Sequence, residues 1–321
     1  MSLLKYIGKK LVIAVFLLIF VVALNFTIVH IAPGGPEAML FGPRISEETR
    51  EAYRRSLGLD KPIYEQFVLY MKELLSGNLG QSYYFKRPVT TVIGARVFPT
   101  VLLIGSALIL STVIAIPLGV ISAKKQYSKT DHAITFGGLA GISFPIFWLG
   151  LLFQLLFAVY LDWAPISGYD TPGSEATGFD YYVDVFKHLM LPMLTLTVAS
   201  IAVIMRLTRS SMLEVLRQDF VLTARAKGLS ERSVIYSHAL KNALRPVITI
   251  LALSIGFLLT GAVLTETVFN WPGLGRLAFD SIFTRDYPVL LGLFFIVAIM
   301  VILANLAADV VYALIDPRVK Y

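Results

Sequence analysis

The residues of this sequence that could do chemistry are concentrated in one polar and basic segment, residues 219–246, between two long apolar stretches. Charged side chains at this density can bind a protein partner or acidic lipid headgroups. Arg225 and Lys227 come just before Gly228, and a glycine after a basic last turn is typical of a helix C-terminus. The pattern therefore predicts a helix that stops at this glycine.

The segment after this glycine carries the signals of a second helix. Ser230 can accept hydrogen bonds from the free N–H groups of a first turn, and Glu231 suits the positive end of a helix dipole. We expect this helix to run to Pro246. The capping-box spacing of Ser211 and Glu214 predicts that another helix begins upstream. Two short helices joined by a glycine would form an elbow.

Small side chains next to the charges would let a partner's backbone approach the elbow closely. Ala224 and Ala226 flank Arg225 on the first arm. Such a surface predicts a docking site for another protein. An ordinary basic loop held against acidic lipid headgroups is the alternative that these residues leave open.

Signatures of catalysis are missing from the sequence. It has no GxxxxGK[ST] phosphate loop, so we do not expect the chain to bind or hydrolyse ATP. Its 4 histidines are scattered, with no HExxH motif and no metal-ligand pair, and cysteine is absent. Gly273 and Gly275 follow a tryptophan and a proline and do not open a dinucleotide-binding unit. We expect no enzyme activity, no cofactor and no metal site, so any energy must enter through the elbow.

Composition predicts that the elbow belongs to an all-α integral membrane protein. The chain has 321 residues, of which 56% are hydrophobic and 15% charged, and its mean hydropathy is +0.73. That is far more apolar side chain than a soluble core of this size could bury. The net charge of +7 is explained by lipid headgroups and the positive-inside rule, so we expect a lipid bilayer and no nucleic acid as partner.

Six apolar stretches are long enough to cross a bilayer as helices. The first is longer than the apolar core of a cleaved signal peptide, so we expect it to be retained. A polar insert follows, with one helical pattern after Ser46 that stops at Gly58 and another from Pro62 to Ser76. The predicted spans cover residues 11–32, 98–122, 134–160, 189–208, 247–268 and 289–314, and the insert covers residues 33–97.

Charges in the loops predict the orientation of these spans. Lys124 and Lys125 follow the second span, and the loop after the fourth is rich in arginine and lysine. The loop after the third span has Lys187 as its only basic residue against five acidic ones. By the positive-inside rule, both termini and the elbow lie in the cytoplasm. The insert then lies outside, where we expect it to pack on the outer ends of the helices.

Polar side chains within the predicted spans are few, which argues against coupling to an ion gradient. Thr195, Thr197 and Ser200 are candidates to line a substrate path. Asp309 lies one helical turn beyond Asn305, and we interpret it as a structural partner for an arginine or a backbone group.

Prolines and a glycine pattern mark places where spans could bend or approach each other. Pro117, Pro145 and Pro192 lie in or at the start of spans and would loosen the local hydrogen-bond ladder. Gly137 and Gly141 have the GxxxG spacing that permits a close helix contact. Bent helices that line a path, and kinks without a function, are both open interpretations.

The elbow sequence, TARAKGLSERSVIYSHALKNALRPVIT at residues 223–249, resembles the cytoplasmic EAA loop of binding-protein-dependent ABC transporter permeases. It is most similar to the dipeptide, oligopeptide and nickel branch, which shares Leu222-Thr223-Ala224 in place of Glu-Ala-Ala and Lys241 in place of a proline. Other stretches that resemble this branch are PGGP at 33–36, LGLDKP at 57–62, GQSY at 80–83, TVFNWPGLG at 267–275, RDYPV at 285–289 and DPR at 316–318.

This resemblance implies the six-helix fold of type I ABC importer permeases. Residues 1–32 would be the first transmembrane helix, 33–97 an extracytoplasmic insert, 98–315 the permease core with a coupling loop at 209–246, and 316–321 a cytoplasmic tail. The motif implies that the ATPase-coupling residues are Ala224, Arg225, Ala226, Gly228, Leu229, Ser230, Glu231 and Arg232.

The same resemblance implies partners and a substrate class. The partners are a second homologous permease, two cytoplasmic ABC ATPases and an extracytoplasmic solute-binding protein, assembled in the cell membrane. The chain would form half of a path for di- or oligopeptides, with nickel or oligosaccharides as alternatives for the same machinery. An ion-coupled secondary transporter or channel is the alternative of another class.

Overall fold

The computed structural model describes residues 3–31, 47–56, 58, 60–256 and 258–315, and within these residues the regular structure is helical. The predicted tail, residues 316–321, lies outside them. The helices are α1 Leu3–Ile31, α2 Glu47–Ser56, α3 Ile63–Leu75, α4 Val89–Lys124, α5 Lys129–Ser143, α6 Ile146–Phe153, α7 Phe179–Val215, α8 Asp219–Ala226, α9 Glu231–Ser233, α10 Leu240–Gly256, α11 Val263–Val268, α12 Leu274–Phe283 and α13 Tyr287–Ile315.

Among the described residues, four helices are long and apolar enough to cross a membrane, or five crossings result if α5 and α6 count as one bent span. The chain is therefore a multi-pass membrane protein. Its four long spans are Gly8–Ile31, Val89–Lys124, Phe179–Val215 and Tyr287–Leu306.

Two of these helices are longer than the apolar stretches that predicted them. α4 begins well before residue 98, and α7 extends beyond residues 189–208 at both ends. The predicted helix start at Ser211 is wrong, because this residue lies buried inside α7. Met212 and Val215 next to it are also buried, so packing continues the helix where the capping-box spacing suggested a start.

The third predicted span, residues 134–160, is not one helix. α6 continues as a π-helical stretch, Gln154–Tyr160, and α5 meets this continuous segment, Ile146–Tyr160, at an angle of 98°. Phe144 between them has an extended backbone (φ −92°, ψ 137°), as expected for a residue that precedes a proline. Pro145 therefore breaks this span, whereas Pro117 and Pro192 lie inside the long helices α4 and α7.

The fifth predicted span, residues 247–268, is also interrupted. α10 ends at Gly256, a short 3₁₀ turn covers Leu258–Thr260, and α11 begins only at Val263. Between them Gly261 has a positive φ of +77°, and a Cβ on it would come within 2.5 Å of the backbone nitrogen of Gly275. This close approach requires glycine. It brings the start of α11 against the start of α12, and these two helices pack together.

α4 and α7 pack along each other at the centre of the molecule, and α5 and α10 pack on α7. α13 contacts α1 and α10. The predicted helices of the insert are present as α2 and α3. α3 packs on α1 through Phe26, whose ring lies 5.4 Å from Phe67 and 5.6 Å from Tyr70. Burial raises the pKa of the Tyr70 hydroxyl to about 12, so this contact stays neutral.

Candidate docking site at the elbow

We use the name elbow for residues 219–233, which comprise α8, the turn at Gly228 and α9. The N–H of Gly228 donates to the carbonyl of Arg225 (2.9 Å), and the N–H of Leu229 donates to that of Ala224 (3.4 Å). These two bonds form a Schellman motif. Gly228 has a φ of +77°, so the predicted glycine stop of the first arm is confirmed.

The second arm begins at Ser230, whose hydroxyl accepts a hydrogen bond from the N–H of Ser233 (3.4 Å). The predicted N-cap is confirmed. The helix does not end at Pro246, however, because it continues through a π-helical stretch, Val234–Ala239, into α10. Ala243 and Val247 on either side of this proline are buried, and their packing holds the helix together across the missing N–H. The second arm is thus continuous with α10.

An ion pair joins the two arms across the glycine turn. Arg225 Nε donates to Glu231 Oε1 at 2.8 Å, and its Nη2 donates to Oε2 at 3.4 Å. Both side chains are exposed, so the pair contributes at most about 1 kcal/mol to stability. The ion pair holds the two arms at their observed angle, but it is too weak to prevent a change of that angle.

The inner face of the elbow is seated on the ends of α4 and α7. Ala224 is buried there, so its small side chain packs inside the chain, whereas Ala226 is exposed. One apolar cluster unites the three parts. It contains Val221 and Ala224 of the elbow, Val234 and Ile235 directly after it, Val120 and Ala123 of α4, and Met212 and Val215 of α7.

The outer face of the elbow combines exposed apolar and basic side chains. Leu222 is 53% exposed and Leu229 is 41% exposed. Apolar groups among arginines are typical of a protein interface. Leu222 did not belong to the predicted coupling residues, although its place in the motif could have indicated it. The exposed predicted residues are Arg225, Ala226, Gly228, Leu229, Ser230, Glu231 and Arg232.

An ion pair with a buried carboxylate lies beneath the elbow. Arg209 of α7 donates through Nε to Asp131 Oδ1 (2.8 Å) and through Nη2 to Oδ2 (2.7 Å). Asp131 is 2% exposed and also accepts from the hydroxyl of Ser122 and the N–H of Tyr127. The group ties α5 to α4 and α7. Sequence reasoning missed Asp131, although its spacing after Ser128 is that of a capping box.

The three path candidates are not brought together. Thr195 and Thr197 are buried in α7 and donate to the carbonyls of Leu191 (2.8 Å) and Met193 (2.7 Å). Ser200 instead lines a cavity of about 300 Å³ between α4, α7 and α10. Their role in a substrate path stays a prediction. The side chain of Asp309 lies outside the described residues, so its predicted role stays a prediction too.

At the other end of α4, a carboxylate is completely enclosed. Glu266 is 0% exposed and accepts hydrogen bonds from Thr100 Oγ1 (3.1 Å), Ala262 N (3.2 Å) and Arg276 N (2.9 Å). We call these four residues the Glu266 cluster. Nearby, Trp271 Nε1 donates to the carbonyl of Pro99 (2.9 Å). The stretch TVFNWPGLG is thereby fixed on the start of α4, and sequence reasoning missed the glutamate that precedes it.

Two further motif stretches meet at the same end. Asp286 is buried and accepts from the hydroxyl of Ser82 and from the N–H groups of Tyr83 (3.0 Å) and Tyr84 (3.2 Å). Its own carbonyl accepts from Leu290 N in the first turn of α13. The GQSY stretch at 80–83 and the RDYPV stretch at 285–289 therefore contact each other through the Asp286 carboxylate. In the described ranges, no group of three or more acidic or histidine side chains could hold a metal ion.

Comparison with known proteins gives concordant matches. Residues 115–321 match the family described as the binding-protein-dependent transport system inner membrane component, and residues 3–105 match its N-terminal component. The oligopeptide transport system permease protein AppB of Bacillus subtilis is 42% identical over 98% of this chain and 99% of its own length. The dipeptide transport system permease protein DppB of Escherichia coli K12 is 39% identical over 99% of each chain.

A solved structure has the same fold at low sequence identity. An inward-facing form of the MetNI methionine ABC transporter superposes with a TM-score of 0.57 and 16% identity. The match covers 70% of this chain and 96% of that one.

Proposed function

The chain belongs to the family of binding-protein-dependent transport system inner membrane components, and from this premise we propose that it is the permease subunit of an ATP-driven peptide importer. Relatives that are 39% and 42% identical over nearly the whole chain carry dipeptide and oligopeptide permease names. The observation that carries the mechanism is the elbow, which exposes a docking face and is continuous with a long helix.

We propose that the two cytoplasmic ATPase subunits dock on the loops of the two permeases, one of them on the elbow of this chain. Leu222 and Leu229 supply exposed apolar contacts, and Arg232 supplies a charge at the rim. Arg225 already has an intramolecular partner in Glu231, so it shapes the surface first and contacts a partner second. Ala224 acts from inside, by seating the first arm on α4 and α7.

Movement of the elbow passes into the membrane by two routes. The first arm pushes on α4 and α7 through the shared apolar cluster, whose members are close-packed and move together. The second arm continues into α10, so a rotation of α9 turns that helix directly. Closure of the ATPases on ATP would therefore change the packing around the cavity at Ser200, which α4, α7 and α10 surround. Alternating access follows from this linkage.

The proposed topology has six crossings with both termini in the cytoplasm. The four long helices make four crossings, the α5–α6 pair makes one, and the segment from α10 through α11 makes one. The basic loops at the elbow end support this orientation. A second, homologous permease completes the path, and an extracytoplasmic binding protein delivers peptide at the far end of α4. The insert, residues 33–97, is proposed to face that binding protein.

Reconstitution tests this function. Proteoliposomes that contain the chain, its second permease and two ATPases should take up labelled peptide only with ATP on the ATPase side and binding protein on the opposite side. Removing the ATPases should abolish uptake, and the chain alone should not transport in a proton or sodium gradient. Gradient-driven uptake by the chain alone would contradict the proposal and favour a secondary transporter.

A further inference from the structure

A cavity of about 460 Å³ lies between the start of α4 and helix α12. Its volume falls within the range of small-molecule sites, roughly 300–1,000 Å³. Phe85 and Phe279 contribute apolar wall, and Arg96, Arg276, Asp280 and Ser281 contribute polar groups.

Ser281 gives the first indication of a ligand. Its side chain lines the cavity and it is 1% exposed, yet its hydroxyl has no hydrogen-bond partner among the residues that the structure describes. Buried hydroxyl groups are nearly always hydrogen-bonded, because leaving one unpaired is unfavourable. The hydroxyl is closed to water in this structure, so an acceptor in the cavity satisfies this donor only after the Ser281 side chain changes its rotamer.

The arginines give the second indication. Arg276 contacts Asp280 (3.5 Å) and donates to the carbonyl of Asn270 (2.9 Å). Arg96 is half-buried, and within the described ranges it has neither an ion-pairing carboxylate nor a hydrogen-bond acceptor. The two arginines lie near two carboxyl groups, Asp280 and the buried Glu266, so what the cavity leaves unsatisfied is the set of N–H donors on Arg96. An anion with at least two acceptor atoms matches these donors.

The position of the cavity places it far from the elbow. Arg96 and Val120 lie on the same helix, and 24 residues of α-helix span about 36 Å. Val120 belongs to the apolar cluster that seats the elbow. If the elbow is cytoplasmic, the cavity lies at the extracytoplasmic side, where a peptide first meets the permease.

We propose that this cavity binds the C-terminal carboxylate of a short peptide, with Arg96 as the cation and Ser281 as a hydroxyl donor. Phe85 and Phe279 then contact the last side chain of the peptide. This inference rests on the proposed function, because peptides are the cargo that brings a free carboxylate to this face. A carboxylate is also present on acidic side chains of a binding protein, and lipid phosphate offers a related oxyanion, so the test must separate these sources.

Binding of the dipeptide Ala-Phe and of its C-terminal amide tests the proposal. The probe is the full transporter in nanodiscs without binding protein, with binding measured by ligand-observed NMR. The free acid should bind about tenfold more tightly than the amide, as expected for a charge-assisted hydrogen bond. Arg96→Gln and Ser281→Ala should each reduce this preference severalfold. Arg87→Gln removes an exposed arginine outside the cavity and should retain it.

Several results would overturn the proposal. These are equal binding of acid and amide by the unaltered chain, or a preference that survives both Arg96→Gln and Ser281→Ala. A defect that appears only when binding protein is added, equal for both peptides, would assign the carboxylate to that protein. A defect that follows only the phosphatidylglycerol content of the nanodisc would assign the site to lipid.

Failure of the proposed function is read separately. If the reconstituted importer takes up peptide but the acid preference is absent, only the carboxylate site is wrong. If the preference for the free acid is present but ATP and binding protein never drive uptake, the carboxylate site is supported and the proposed transport function is wrong. Co-purification of each variant with its partner subunits verifies that the fold is intact.

Discussion

The two ends of α4 hold their charged groups in opposite ways. At the elbow end, Arg225 and Glu231 pair with each other on the surface, where both stay exposed. At the far end, Glu266 and Asp286 are completely buried and accept hydrogen bonds largely from backbone N–H groups. Side chains bonded to a fixed backbone have little freedom, whereas a surface ion pair can open at small cost.

This difference indicates how a displacement of the elbow by the ATPases would be converted into movement of the helices. The far end is fixed to the start of α4 by the Glu266 cluster, so it provides a rigid frame. In the proposed mechanism the elbow changes its angle while its buried face stays attached to α4 and α7. Asp131 and Arg209 lie between these extremes, because Asp131 is buried whereas Arg209 is partly exposed. A movement that starts at the elbow therefore bends the helices against a fixed end.

The largest loss of stability should come from removing the buried carboxylate of Glu266 at the far end of α4. Glu266→Ala leaves the hydroxyl of Thr100 and several backbone N–H groups without an acceptor, at a cost of about 1–3 kcal/mol each. We expect a total loss of stability on the order of 4 kcal/mol, measured as a lower unfolding temperature of the purified complex in detergent. Glu175→Ala, at an exposed loop position, is the matched control and should leave that temperature unchanged. Equal behaviour of the two variants would contradict a rigid far end.

The next largest effect should come from the ion pair beneath the elbow. Asp131→Ala leaves the guanidinium of Arg209 without its buried partner, which costs about 3 kcal/mol. The double variant Asp131→Ala/Arg209→Ala should be more stable than the single one, because the unpaired charge is gone. Thermal unfolding of both variants tests this. If the double variant loses the sum of the two single losses, the pair is not coupled.

The smallest effect on stability should come from the surface pair of the elbow. Arg225→Ala and Glu231→Ala should each cost less than about 1 kcal/mol. Peptide uptake should fall more than stability does, since the pair sets the angle between the arms. A double-mutant cycle on both quantities sharpens the comparison between the two ends. A stability loss as large as that of Asp131→Ala would mean that the elbow is as rigid as the far end.

The sequence was sufficient to predict the elbow because its signals are local. Gly228 and Ser230 define a helix stop and a helix start within a few residues of each other, and the structure shows both. The breaks in the third and fifth predicted spans are different. The sequence marks Pro145 as a proline that loosens a helix, but the angle of 98° depends on how α6 packs. The turn at Gly261 depends on the approach of Gly275, which no pattern around residue 261 reveals.

The buried carboxylates were missed for the same reason. Glu266 and its partner Thr100 are 166 residues apart in the chain, and Ser82 and Asp286 are 204 residues apart. A lone carboxylate at the end of an apolar stretch is compatible with a solvated helix end as well as with a buried network. Only the packing of α11 and α12 on α4 distinguishes these states.

In the proposed mechanism force enters the molecule through the elbow, and Gly228→Val tests this step most directly. At a φ of +77°, valine is strained by about 1–3 kcal/mol, so the turn must change its shape. Gly173→Val is the matched control, because Gly173 has a φ of +75° in another exposed turn and neither glycine has a neighbour within 4 Å of its Cβ position.

Peptide uptake and ATP hydrolysis are measured together in proteoliposomes that contain all subunits. We predict that Gly228→Val stays in the membrane and that the ATPases still hydrolyse ATP, while uptake per ATP falls at least about tenfold, or 1.4 kcal/mol of coupling. Gly173→Val should transport like the unaltered chain. Unchanged uptake per ATP in the assembled Gly228→Val transporter would contradict the account.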